Sequence, residues 1–287
     1  MDVVLLGTGS PLPDPERAGP ATLVRAGGLQ LLVDCGRGVL MRLAALGTGP
    51  PALDAVFLTH LHSDHVCDFN DVLTTRWVMS LADAPLRVVG PPGTAAFVDR
   101  TIDMLRDDIG YRLAHHDDLN WEPTCDVTEV DDGTAFEKSA VRVVAAPTDH
   151  RPVEPTVGYR FEHGGVAVVL AGDTVPCDGL DRLCAGADVY VQTVVRRSLI
   201  ERVPMQRFQD ILDYHSSTDD ALRTASRAGV RTLVYTHCVP PIAAGGEQDL
   251  LDEARGQFAG EVVVARDLDV VTVTAGSAPA VIDRRLG

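Results

Sequence analysis

Short apolar runs recur along the chain, and several of them end on a histidine or an acid. Residues 55–58 lead into Thr59-His60-Leu61-His62-Ser63-Asp64-His65, and residues 141–145 into Pro147-Thr148-Asp149-His150. Residues 166–170 lead into Ala171-Gly172-Asp173, and residues 232–235 into Thr236-His237-Cys238. Apolar runs this short, bounded by turn residues, read as strands buried on both faces rather than as helices. Further strands are predicted at 3–6, 21–25, 29–34, 87–90, 156–161, 189–191 and 262–265. The pair at 21–25 and 29–34 flanks Gly27-Gly28 and reads as a hairpin. Helices are predicted over 38–46, 71–82, 94–105 and 247–258. Another runs from the capping box Ser217/Asp220 to about residue 228. Residues 119–134 are acidic and irregular and read as an exposed loop or lid.

The strand-end residues supply the candidate chemistry. Three imidazoles and a carboxylate fall within six positions, in a chain holding only 9 histidines. His60 and His62, two apart on an extended segment, project to one side and can clasp one cation. Asp64 and His65 lie past the bend and can hold a second, as a two-metal hydrolytic site requires. The alternative is a polar loop of satisfied histidines. Asp34, at the end of its strand, reads as a carboxylate that accepts a hydrogen bond from the His loop, or else as a turn cap. His215 stands just ahead of a helix start, where oriented N–H groups favour an anion, or else is a surface histidine beside a cap. His115 and His116 are adjacent, so at most one can face the metals. His163 belongs to a solvated turn. Gly7-Thr8-Gly9-Ser10-Pro11 invites a dinucleotide reading, but Leu12 replaces the third glycine and the prolines discourage a helix, so that reading is rejected.

Composition narrows the class. With 45% hydrophobic and 23% charged residues, the 287-residue chain reads as a soluble globular protein. No linker or repeat interrupts it, so residues 1–287 are expected to form a single domain. Neither a membrane-spanning run nor a signal peptide is legible, and a cytoplasmic location is the default. Six scattered cysteines without a C-x-x-C pair read as reduced thiols, with Cys67 and Cys238 as small buried filler near ligands. A net charge of −16 counts against a large polynucleotide substrate.

Asp34, His60, His62, Asp64, His65, His150, Asp173 and His237, in this order, resemble the metallo-β-lactamase superfamily over nearly the whole chain. The resemblance implies an α/β fold, a four-layer αββα sandwich with a metal site at one edge of two sheets. It implies that His60, His62 and His150 hold one metal, that Asp64, His65 and His237 hold the other, and that Asp173 bridges them. A histidine at His62 is unlike the di-iron flavoprotein branch and points to two Zn2+ per chain. Leu6-Gly7-Thr8-Gly9-Ser10-Pro11, Gly90-Pro91-Pro92-Gly93 and His215-Ser216-Ser217-Thr218 look like ribonuclease Z and its phosphodiesterase and arylsulfatase-like relatives.

That branch implies a dinuclear-zinc hydrolase cleaving phosphodiesters in a small anionic ester substrate, with Asp64 and His215 in catalytic roles. The rivals are a sulfate ester hydrolase, a lactonase and a non-catalytic zinc-binding scaffold. Two departures stand out. Only 22 residues separate His150 from Asp173, where tRNA-processing members carry a long gripping arm. Gln192-Thr193-Val194-Val195 replaces the family's His-Glu-Ala-Thr and offers no glutamate to orient His215. Both weaken tRNA as a substrate without removing it. Homodimerisation stays open.

Overall fold

The computed structural model describes residues 1–243, 245–276 and 281–284, the last four by backbone alone. Six strands begin the chain: β1 (Asp2–Gly7), β2 (Ala21–Ala26), β3 (Leu29–Val33), β4 (Ala55–Phe57), β5 (Leu86–Gly90) and β6 (Cys125–Glu129). Seven follow: β7 (Gly133–Lys138), β8 (Val141–Pro147), β9 (Val157–His163), β10 (Val166–Leu170), β11 (Val189–Val195), β12 (Thr232–Val239) and β13 (Glu261–Val264). Two more, β14 (Asp269–Thr272) and β15 (Val281–Arg284), return to the first sheet. That sheet runs β15-β14-β1-β2-β3-β4-β5-β6, and the second runs β13-β12-β11-β10-β9-β8-β7. In each sheet the chain-terminal side or the first hairpins are antiparallel, while β3 to β6 and β10 to β13 pair in parallel.

Alternation along the strands explains the layering. Val3 and Leu5 of β1 point between the sheets, where they share a core with Phe57, Tyr159, Phe161 and Val168. Val4 and Leu6 point outward and pack with Val39 and Leu43 of the helix Val39–Ala45 and with Phe69 and Leu73 of the helix Phe69–Met79. On the second sheet, Ala167 and Val169 face outward onto Leu180 and Leu183 of the helix Asp178–Cys184 and Ala221 and Ala225 of the helix Thr218–Ala228. Helix, sheet, sheet and helix therefore stack as the four layers expected. Phe57 contacts Phe136, Tyr159 and Phe161 edge-on, with centroids 5.8, 5.3 and 5.5 Å away, and so staples the two sheets together.

Several expectations need correction. Residues 119–134 are not one exposed loop: they contain β6 and the start of β7, which close the two sheets at one edge. Asp126 and Glu129 are exposed on an edge strand, with Glu129 accepting from the Gly93 and Ala95 N–H groups, so acidity was a poor guide there. The helix Arg106–His115 has no clear periodic signature, because Gly110 and a run of charges interrupt it. The helix expected over 71–82 is Phe69–Met79, and the one over 247–258 ends at Ala254. Cys67 is exposed rather than buried filler, whereas Cys238 is buried in the outer core of the second sheet. No helix of the described residues is long and apolar enough to cross a membrane.

Candidate metal centre

The parallel halves of both sheets carry their strand ends to a common edge, and the polar residues meet there. β4 delivers Thr59 and His60; His62 then caps a single helical turn, Ser63–Val66, that carries Asp64 and His65. β8 leads to His150, β10 to Asp173, and β12 contains His237. Asp34 and His237 hold left-handed backbone angles, φ 60° and 47°, unusual for non-glycine residues and common where function fixes the chain. Gly172 (φ 66°) brings Asp173 against the His loop, since a Cβ there would lie 2.8 Å from Thr59 Cβ.

All seven residues expected to bind metal converge. His60 Nε2 and His150 Nε2 lie 3.1 and 3.3 Å from His62 Nδ1, and 3.9 and 3.8 Å from Asp173 Oδ2. Asp64 Oδ2 lies 3.1 Å from His237 Nε2 and 3.7 Å from His65 Nε2. Asp173 Oδ2 is also 3.4 Å from His65 Nε2 and 3.8 Å from His237 Nε2. Ligands about 2.0–2.1 Å from a tetrahedral zinc stand about 3.3 Å apart, which is the spacing of both sets. Asp173 Oδ2 thus faces two donor groups at once, one of three imidazoles and one of a carboxylate and two imidazoles.

Neighbouring groups fix which nitrogen His60, His65 and His150 turn inward. His65 Nδ1 donates to Asp34 Oδ2 at 2.8 Å, leaving a buried Nε2 with no hydrogen-bond partner. A buried ring nitrogen without a hydrogen-bond partner, beside two carboxylates, is a position suited to a bound cation. His150 Nδ1 donates to the Tyr214 carbonyl at 2.8 Å. His60 Nδ1 lies 3.0 Å from Thr59 Oγ1, which donates to Asp34 Oδ2 at 2.8 Å. Asp34 also accepts from the Thr59 backbone N–H, so it holds the His loop as expected of it. The Thr193 hydroxyl donates to Asp173 Oδ1 at 2.8 Å, which leaves Oδ2 for the centre. Thr59, Thr193 and Tyr214 went unrecognised as positioning groups; the signal was their place beside a ligand or a strand end.

Charge follows the same logic. Burial pushes the His60 and His62 pKa values down and that of His150 down to about 4, so these rings are neutral with open lone pairs. Burial alone would raise Asp173, but His237, His65 and a hydrogen bond from His215 hold it well below the usual carboxylate range. Burial would lower His65 and His237, yet the surrounding carboxylates outweigh it and raise both. The field that draws protons onto these two rings is the field that would hold divalent cations.

His215 joins the cluster from outside the donor sets. Its Nε2 lies 3.2 Å from Asp173 Oδ2 and its Nδ1 lies 3.2 Å from the Ile211 carbonyl. A backbone carbonyl therefore orients the ring in place of the absent glutamate. Gln192 is turned away, donating to the Thr193 carbonyl and accepting from the Tyr190 hydroxyl. Behind His215, Ser217 and Asp220 form the expected capping box, which satisfies the N–H groups of those two residues. His115 and His116 sit exposed at a helix end, outside both donor sets, and His163 bonds the Ala140 carbonyl beside its turn. The Gly7-Thr8-Gly9 loop opens no helix; its Thr8 carbonyl accepts from the His237 N–H at 3.0 Å and so supports a ligand.

Two sheets, flanking helices and paired histidine–carboxylate donor sets at a sheet edge define a metal-dependent hydrolase class. The beta-lactamase superfamily domain matches residues 30–238, and the chain belongs to that superfamily, in its ribonuclease Z branch. Ribonuclease Z of Mycolicibacterium paratuberculosis is 57% identical over 279 residues, spanning 96% of this chain and all of the relative. Ribonuclease Z of Mycobacterium tuberculosis (strain H37Rv) is 54% identical, over 95% of this chain and 98% of the relative. The crystal structure of human tRNase Z, short form, superposes with a TM-score of 0.71 at 24% identity, covering 96% of this chain and 100% of that one, and shares the fold.

Proposed function

We propose that the chain is a dinuclear-zinc phosphodiesterase that cleaves RNA, with the 3′ extension of precursor tRNA as its substrate. The observation that carries this reading is the position of Asp173 Oδ2, 3.4–3.9 Å from imidazole nitrogens of both donor sets and 3.2 Å from His215 Nε2. Zinc at the two sets would supply Lewis acidity at the phosphoryl oxygens and acidify water to a nucleophile near neutral pH.

The protein's own groups do the remaining work. His60, His62 and His150 form one set of ligands and Asp64, His65 and His237 the other, with Asp173 shared. Asp64 has its pKa lowered despite burial, through the His237 hydrogen bond and the His65 charge, and as an anion can accept the attacking water's proton. His215 donates a proton to the leaving oxygen from Nε2, its ring held by the Ile211 carbonyl.

Support for RNA over a small ester comes from relatives that bear the name Ribonuclease Z and match along their whole length. The short interval between His150 and Asp173, which holds a hairpin of β9 and β10, therefore counts less against tRNA than the sequence alone suggested. The test compares zinc-loaded enzyme on precursor tRNA, a chromogenic phosphodiester and a chromogenic sulfate. Release of the 3′ extension at one position is the expected result; turnover of the sulfate with both phosphodiesters intact would overturn the proposal.

A further inference from the structure

Between β11 and His215 the chain leaves the second sheet and returns beside its starting point. The Val195 N–H donates to the Ser216 carbonyl at 2.9 Å, closing residues 196–215 into a loop rooted at the metal centre. Two of its carbonyls orient site histidines: Ile211 bonds His215 and Tyr214 bonds His150. Ile200, Ile211 and Leu212 pack with Val195 and Val239 beneath it, which gives the loop a small core of its own.

Its surface is locally basic. The chain carries a net charge of −16, yet residues 196–215 contain four arginines against three acids, Glu201, Asp210 and Asp213, and the arginines all fall in the first twelve positions. Arg196 pairs with Glu253. Arg197, Arg202 and Arg207 are exposed and, among the described residues, lie within ion-pair distance of no carboxylate; Arg207 touches the Met205 sulfur instead. Many exposed arginines elsewhere are answered by acids, as in Arg151–Asp149, Arg182–Asp132, Arg227–Asp181 and Arg255–Asp252, while Arg37, Arg87 and Arg100 stand apart from any acid among the described residues but also far apart in the chain. Three unanswered guanidiniums on a loop rooted at a phosphodiesterase site fit a polyanion, because planar forks match phosphate oxygens.

We propose that the loop at residues 196–215 is an RNA-backbone cradle, in which Arg197, Arg202 and Arg207 neutralise phosphates near the scissile bond. This deepens the proposed function and rests on it for the choice of RNA. Guanidiniums placed beside the site would let a strongly acidic protein accept a polynucleotide there.

Binding of a fluorescently labelled precursor tRNA, read by anisotropy across a salt series, tests the cradle without reading cleavage. Each lost phosphate contact should flatten the plot of log affinity against log salt by about 0.7–0.9, so Arg197→Gln/Arg202→Gln/Arg207→Gln should lose about two units of slope or more. Arg202→Glu alone should weaken binding at low salt. Arg100→Gln/Arg106→Gln/Arg255→Gln removes equal charge elsewhere and should leave the slope unchanged. Zinc content and melting temperature confirm that each variant is folded. Wild-type slope in the loop variant, an equal loss in the control variant, or no binding by the wild type would overturn the proposal. Salt-sensitive binding through the loop with no cleavage would overturn the function and leave the surface standing.

Discussion

Asp34 Oδ2 lies 2.8 Å from His65 Nδ1 and 2.8 Å from the Thr59 hydroxyl, so one carboxylate at the end of β3 sets the orientation of both halves of the His loop. Asparagine in its place can still accept through one oxygen but cannot balance charge on His65. Changes to such supporting groups typically cost about 10–100-fold in metal affinity. Asp34→Asn should therefore weaken zinc by that factor, as measured by competition with a chromophoric chelator, while the far-UV circular dichroism stays that of the wild type.

The two sets of histidines should separate by phenotype. His60→Ala removes a donor and should lose zinc and activity together. His215→Ala leaves both donor sets intact and should keep its zinc while losing about 10²–10⁴-fold in turnover, the usual worth of a positioned proton donor. Parallel metal analysis and single-turnover kinetics on the two variants check the pair; full turnover by a zinc-loaded His215→Ala enzyme would remove His215 from the mechanism.

Much of this was legible in the sequence because strand ends carry the ligands. Mainly apolar runs at 55–58, 141–145, 166–170 and 232–235 each became a strand, and each brought its histidine or acid to the same edge. Legibility failed where a residue's burial depends on distant partners. Cys125–Glu129 reads as a polar loop because, at a sheet edge, a strand can leave its acids exposed. Asp269–Thr272 looks like a tail until β1 pairs with it. Thr193 gives no local hint of its bond to Asp173, twenty positions away. The Ile211 carbonyl that stands in for a glutamate has no side-chain signature at all.

Metal and fold should be coupled. Ions that bind the folded chain and not the unfolded one add about 4 kcal/mol per site at a thousandfold excess over Kd. Without them, the rings of His65 and His237 and the carboxylates of Asp34, Asp64 and Asp173 crowd one buried pocket. Dialysis against a chelator should lower the melting temperature by on the order of 10 °C, with recovery on adding zinc, as followed by differential scanning calorimetry.

The helix behind His215 offers a pH test away from the ligands. Burial would raise the Asp220 pKa, but hydrogen bonds from Ser217 and Arg223 lower it. A folded-state pKa below the unfolded value of about 3.9 means that the carboxylate's contribution is complete above that value and fades as pH falls through the folded one. Asp220→Asn should cost about 0.5–2 kcal/mol at pH 7, as capping changes do, and the gap from wild type should close below pH 4 in urea titrations.

The most direct measurement is the zinc content of purified protein after equilibration with zinc and removal of the free ion. Two tightly held ions per chain, falling together with phosphodiesterase activity when Asp173 is changed to alanine, are the predicted result. One ion or none, with phosphodiester hydrolysis undiminished, would contradict the paired donor sets on which the account stands.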